Sequence, residues 1–149
     1  MFFKLRPYVE SELTNKLKKH VYDIIGFMHE VYKELPCGLP EYIYQEALAT
    51  VLKDNDIDPH KEFTYHPLFR GKELRSFLRM DMMVEREDGN IIIECKARES
   101  IGDRERQQLF SYMIGTSFPI GILVNFGTYP QATIEKYYLN KSNHTIMPF

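Results

Sequence analysis

The chain has only two cysteines, Cys37 and Cys95, in 149 residues. That is too few for a disulfide framework, and with no paired spacing they exclude a cysteine-based zinc site. The five histidines, His20, His29, His60, His66 and His144, show no metal-ligand spacing. No apolar run is long enough to span a bilayer, and the opening Met1-Phe2-Phe3-Lys4-Leu5-Arg6-Pro7 lacks the apolar core of a secretory signal. The expectation is a cytoplasmic protein in a reducing setting, with no membrane partner. Excess positive charge is missing too: a net charge of −2 argues against a protein that coats nucleic acid through overall charge. Internal repeats and domain boundaries are absent. With 44% hydrophobic residues, the chain reads as one domain over residues 1–149, residues 1–10 being a lead-in and 140–149 a tail.

Charge is unevenly placed. Residues 1–69 hold 8 Lys and Arg against 11 Asp and Glu, residues 70–106 hold 9 against 9, and residues 107–149 hold 2 against 1. If a divalent ion neutralised Asp81 and Glu94, the central segment would become positive. It would then offer Arg70, Lys72, Arg75, Arg79, Lys96, Arg98, Arg104 and Arg106 to phosphates or to solvent.

The chain is organised around residues 79–96. Two runs rich in Met, Val and Ile flank Asp88-Gly89, a dipeptide suited to a two-residue type I′ turn. That turn pairs Met83 with Glu94 and Asp81 with Lys96. Directly opposed residues and every second residue along a strand share a face, so Asp81, Glu94 and Lys96 point the same way. A shift of two residues keeps this parity, whereas a shift of one destroys it. Ile91-Ile92-Ile93 before Glu94 reads as the interior of a doubly covered strand, where charges need partners or a metal. The plain alternative is that Lys96 pairs with Asp81 or Glu94 across the strands.

Elsewhere the pattern is helical, then extended. Leu13, Leu17, Val21, Ile24, Ile25, Met28, Val31, Tyr32 and Leu35 predict a helix over about 11–35, with Ser11 able to cap it and Pro36-Cys37-Gly38 ending it. A second helix runs from Pro40 to about Asp54, with a core stripe of Ile43, Ala47 and Val51 widened by Leu48 and Leu52. Glu41 lies in its first turn, where the helix dipole favours a carboxylate, and Tyr44 is one turn on. Strands are expected over 60–69, where Pro67 suggests an edge, and over 74–85, distorted around Arg75-Ser76. A helix over 104–116 turns Leu109, Met113 and Tyr112 inward. The apolar run Ile120 to Phe126 should be a central strand parallel to the one carrying Glu94, because a helix connects them. Residues 131–139 suggest one more strand, at an edge.

Gly38-Leu39-Pro40-Glu41-Tyr42-Ile43-Tyr44-Gln45-Glu46-Ala47-Leu48 resembles the motif that names the GxxExxY (GxxExxxY) family, a compact branch of the PD-(D/E)XK nuclease superfamily. Asp81 matches the superfamily's Asp and Glu94-Cys95-Lys96 its E-x-K. Gln108-Leu109-Phe110-Ser111-Tyr112 resembles the Q-x-x-x-Y of several nuclease branches, and Gly121 to Phe126 the family's closing strand. Met80 stands where the superfamily name has Pro. The resemblance spans about residues 13–139. It implies an α/β (α+β), restriction-endonuclease-like core, a mixed sheet of order α-α-β-β-β-α-β flanked by helices.

It also implies a metal-dependent nuclease acting on DNA or RNA. Phosphodiester hydrolysis needs a hard divalent cation on oxygen ligands to polarise the phosphate and lower the pKa of an attacking water. Asp81, Glu94 and the Cys95 carbonyl would hold Mg²⁺ or Mn²⁺, and Glu41 would complete the acidic cluster. Lys96 would stabilise transition-state charge, Gln108 would orient water or phosphate, and Tyr44 and Tyr112 would support. A non-catalytic nucleic-acid or protein binding module on the same fold is the alternative. Cutting two strands would call for a homodimer, but no interface is legible.

Overall fold

A computed structural model describes residues 13–149 of the chain. The expected lead-in over 1–10 and the Ser11 cap lie outside the described residues. The first helix, α1 (Asn15–Glu34), starts at Thr14, whose hydroxyl accepts the Leu17 N–H at 3.1 Å. That bond satisfies one of the donors every helix start leaves open. The expected stripe holds: Leu17, Val21, Ile24, Met28, Val31 and Tyr32 are all buried.

Helix α2 (Glu41–Asp54) follows, with Pro40 as its cap residue. Its buried stripe is turned by one position from the expected one. Tyr44, Leu48, Ala49 and Leu52 enter the core, while Ile43, Ala47 and Val51 only flank it. Tyr44 takes the inner position because its polar end is satisfied there. Its hydroxyl donates to the Pro36 carbonyl at 2.7 Å and accepts from Leu39 N–H at 3.1 Å, and its ring stacks on Phe126 at 4.8 Å. A buried phenol with both bonds made contributes its full apolar area.

The remaining elements are β1 (Pro59–Tyr65), β2 (Leu68–Phe69), β3 (Lys72–Glu73), β4 (Leu78–Val84), β5 (Ile91–Lys96), α3 (Asp103–Thr116), β6 (Ile120–Asn125), β7 (Thr133–Asn140) and β8 (Thr145–Pro148). One sheet runs in the order β1-β4-β5-β6-β7-β8, and β2-β3 form a separate two-stranded hairpin. Strands β5 and β6 are parallel, as a helical crossover requires, and all other neighbours are antiparallel. Helices α1 and α2 pack with Met82, Val84, Ile91, Ile93 and Cys95 on one face. Helix α3 packs with Ile92, Leu123 and Leu139 on the other. Gly121 permits the close seat of α3, since a Cβ there would lie 2.6 Å from Met113 Sδ and 2.9 Å from Leu109 Cδ1. The result is the expected mixed α/β architecture of restriction-endonuclease-like proteins, extended by a hairpin insert and by β8.

Several expectations are corrected. Strand β1 stops at Tyr65 and β4 starts at Leu78, because the segment between them folds into its own hairpin with Arg70-Gly71 as a two-residue turn, both at positive φ. The β4-β5 connection is not a two-residue turn at Asp88-Gly89. Its ladder starts at Val84↔Ile91, and the turn centres on Glu87-Asp88, with Gly89 N–H donating to Arg86 O at 3.1 Å. Strand β7 is not an edge either, for the tail folds back as β8 and covers it with buried Ile146 and Met147. Among the described residues no helix is long and apolar enough to cross a membrane.

Candidate active site

The β4-β5 register places the charges differently from a tight turn. Pairing runs Val84↔Ile91, Met83↔Ile92, Met82↔Ile93 and stops. Continued by one step it sets Asp81 opposite Glu94, two residues away from the expected Asp81-Lys96 pairing. The shift is even, so by itself it would keep Asp81 on the face of Glu94. Where the ladder stops, carboxylates replace carbonyls: Cys95 N–H donates to Asp81 Oδ2 at 2.9 Å, and Asp81 N–H donates to Glu94 Oε2 at 3.2 Å.

The strand also breaks step at Asp81. Met80 joins the α3-side cluster and Met82 the opposite one, although residues two apart in a regular strand share a face. The partner strand is distorted at the same level. Lys61↔Met82 and Phe63↔Met80 pair, but Glu62 between them is unpaired and held at φ 51°, a left-handed conformation unusual for a non-glycine residue. Asp81 therefore opens toward α2, where it lines a cavity of about 300 Å³ with Tyr42, Gln45, Glu46, Lys61, Glu62 and Met82.

Glu94 is 2% exposed. Burial, and then Asp81 beside it, push its carboxyl up to about 10, so without a cation it holds a proton at neutral pH. Lys96 does not form an ion pair with either carboxylate. Its Nζ donates instead to Gln108 Oε1 on α3 at 3.2 Å, which disfavours the plain cross-strand alternative. Tyr112, one turn further along α3, is pushed up to about 12 by burial and then by the charges of Glu94 and Asp81. Glu41, half-buried at the start of α2, is raised by burial and by Asp81, with Lys96 and Arg98 opposing. Glu41, Asp81, Glu94, Lys96, Gln108 and Tyr112 thus lie within one electrostatic neighbourhood. Tyr44 stands apart, buried in the core, where it pins the Pro36–Leu39 loop that leads into Glu41.

Two positioning residues escaped sequence reasoning. Asn125, fully buried, accepts from Arg98 N–H and Gly127 N–H, each at 3.0 Å, and donates to Arg98 O at 2.9 Å. It ties the backbone that follows Lys96 to the end of β6. Gly127 completes the seat, since a Cβ there would lie 2.3 Å from the Arg98 backbone. The available signal was one polar residue closing the apolar run Ile120 to Val124. Beside this seat Lys96, Arg98, Arg104, Glu105 and Gln108 line a second cavity of about 270 Å³, with Glu105 bonded to Arg98 Nη1 at 2.6 Å and to Gly102 N–H at 2.8 Å.

The donor set suits a hard cation. Asp81 and Glu94 supply oxygen, and the Cys95 thiol is excluded because it is buried on the α1/α2 face with its proton held tightly. Among the described residues no three His, Cys, Asp or Glu side chains form a ready cage. A site of two carboxylates leaves the remaining positions to backbone, water and phosphate, the arrangement Mg²⁺ tolerates well. A charged carboxylate at the buried Glu94, beside Asp81, is otherwise unfavourable, and a divalent ion would remove that cost.

A mixed sheet whose neighbouring antiparallel strands deliver an Asp and a Glu-x-Lys, with a helix closing over them, defines a restriction-endonuclease-like protein. The chain belongs to the PD-(D/E)XK nuclease superfamily, whose family model it matches over residues 18–137. Nuclease-type function and divalent-metal use are usual in that superfamily. Among solved structures the chain is similar to the crystal structure of SSO0001, with a TM-score of 0.52 and 24% identity over 67% of this chain. It spans about half of that protein, covering 52% of it, and the likeness concerns the fold. A search of curated proteins gave no match.

Proposed function

We propose that the protein is a metal-dependent phosphodiesterase that hydrolyses DNA or RNA, in the GxxExxY branch of its superfamily, with Mg²⁺ or Mn²⁺ held by Asp81 and Glu94. The observation that carries this reading is the termination of the β4-β5 ladder in two carboxylates. A buried acid such as Glu94 serves structure poorly unless something cationic joins it. The Cys95 N–H points at β4, and in an extended strand a residue's carbonyl points to the same neighbour. That carbonyl is therefore available as a third oxygen, and Glu41 stands near as a fourth. When bound, the cation would polarise the phosphate and acidify a water.

The chain's own residues supply the rest. Lys96 places a compact positive charge where the phosphate's negative charge grows. Gln108 holds that ammonium through its side-chain oxygen, and its amide, which carries two N–H groups and gives one to Tyr112, has a second to offer a phosphate oxygen or the attacking water. Tyr112, un-ionised at neutral pH, backs Gln108 without adding charge. Calorimetric titration of Mg²⁺ and Mn²⁺ into wild type and Glu94→Ala, beside cleavage assays on single-stranded and duplex DNA and RNA, tests the reading. Binding and cleavage lost together in the variant support it. A wild type that binds neither ion leaves a non-catalytic binding module on a nuclease fold.

A further inference from the structure

The hairpin β2-β3 projects from the connection between β1 and β4 and has no part in the sheet. It is well hydrogen-bonded for its size. Leu68↔Glu73 and Phe69↔Lys72 pair, Leu74 N–H reaches Pro67 O at 2.9 Å, and His66 Nδ1 lies 3.0 Å from Leu74 O. Yet it buries almost nothing: Phe69 is 59% exposed and Phe77, just beyond it, 56%. Two large rings left in water on a well-formed hairpin are not explained by folding.

Charge and position identify the occupant. Arg70, Lys72 and Arg75 accompany the rings against the single carboxylate of Glu73. The Arg70 guanidinium lies 5.2 Å from the Phe69 ring centre, and Arg70 occupies the tip in a left-handed conformation. The start of β4 and the end of β5 are the same end of the sheet, because the two strands are antiparallel. The hairpin therefore rises from the end of the sheet that carries Lys96, with its base at Tyr65 and Leu78 set against Phe118 and Gly115 at the C-terminal end of α3. Phe77 is four residues before Asp81, at most about 14 Å along an extended chain.

We propose that the β2-β3 hairpin is a stacking platform for unpaired bases, Phe69 and Phe77 taking the base faces and Arg70, Lys72 and Arg75 the adjoining phosphates. This rests on the nuclease reading and sharpens it: the substrate carries a single-stranded segment next to the cleaved bond. Exposed aromatic rings interleaved with cations are the surface by which proteins hold single strands without reading sequence. Base pairs inside a duplex offer no free face to such rings. A second copy of the chain is a poor occupant, since a two-fold contact would set the three cations against their own copies.

The test is fluorescence anisotropy of the full chain in EDTA with a labelled single-stranded oligonucleotide and a duplex of the same length. Phe69→Ala and Phe77→Ala should each weaken single-strand binding about tenfold and duplex binding far less. Phe→Leu at both positions should fail like Ala, and Phe→Trp should restore binding. Unchanged single-strand affinity in the Ala variants, or full rescue by Leu, overturns the proposal. So does a wild-type dimer that the Ala variants dissociate, which would give the rings to a second copy. Because EDTA prevents cleavage, the outcomes separate. A chain that binds through these rings but cuts nothing with any metal refutes the nuclease reading alone. One that cuts, but binds equally well without them, refutes the platform alone.

Discussion

Asp81 and Glu94 each hold the backbone of the opposite strand, Asp81 through the Cys95 N–H at 2.9 Å and Glu94 through the Asp81 N–H at 3.2 Å. The two acids replace the rungs a continuous ladder would have had, Glu94 buried and Asp81 half-buried at the edge of a cavity. The metal-free protein accepts that arrangement by protonating Glu94. Glu94→Gln should therefore leave metal-free stability unchanged or raise it by about 1 kcal/mol, since glutamine enters the buried site without having to take up a proton on folding. Urea denaturation in EDTA checks this. The same variant should lose the rise in melting temperature that Mg²⁺ gives the wild type.

Lys96→Ala should lower cleavage about 10²–10³-fold while leaving metal binding intact, the scale expected for losing one preorganised charge at the transition state. Gln108→Ala should cost less, about tenfold, because the ammonium remains and only its anchor is gone. Single-turnover rates at saturating metal measure both. A Lys96 variant that lost metal binding in equal measure would mean that the lysine supports the carboxylates instead.

Asn125→Ala should destabilise the fold by roughly 3 kcal/mol, as it strands two N–H groups and a carbonyl that nothing else satisfies. Equilibrium urea unfolding reads that loss. Gly127→Ala should act in the same direction by pressing on the Arg98 backbone.

Glu62 carries backbone strain opposite Asp81. Glu62→Val should cost about 1–2 kcal/mol, since a β-branched residue tolerates left-handed φ worst, and Glu62→Gly should cost little or stabilise. The Glu62–Arg79 ion pair lost in both variants is exposed and contributes little. Thermal denaturation of the pair separates strain from charge.

Arg106 clamps Glu135 with two bonds, 2.7 Å and 2.8 Å, and the Tyr137 hydroxyl donates to the same carboxylate at 2.5 Å. The Arg106 bonds hold the Glu135 carboxyl below its ordinary value of 4.5. A carboxyl lowered on folding contributes stability that is complete above its unfolded value and lost as pH falls through the folded one. The stability difference between wild type and Glu135→Gln, about 1–3 kcal/mol at pH 7, should stay constant down to about pH 5 and shrink below pH 4.5. Urea midpoints across that range give the curve.

Local period made much of this legible in sequence. The α1 stripe, the parallel β6 strand and the shared face of Glu94 and Lys96 depend on spacing along a single element, whereas Asp81 leaves the expected face because the alternation breaks there. The sequence pattern sets the α2 stripe one position away from the observed one, because tyrosine counts as half polar until a partner for its hydroxyl is known. For Tyr44 that partner is a loop five to eight residues back.

By itself the sequence determined which residues would carry charge into an apolar sheet, and on which side of a strand each would start. Only the tertiary structure decided that Asp81 opposes Glu94, that the alternation breaks at Asp81, that β8 covers β7 and that residues 68–73 stand free of the sheet. The reason is physical. Side-chain parity and amphipathic period are properties of a few consecutive residues, whereas register, strain at Glu62 and the Asn125 seat arise from competition among distant segments for the same backbone hydrogen bonds.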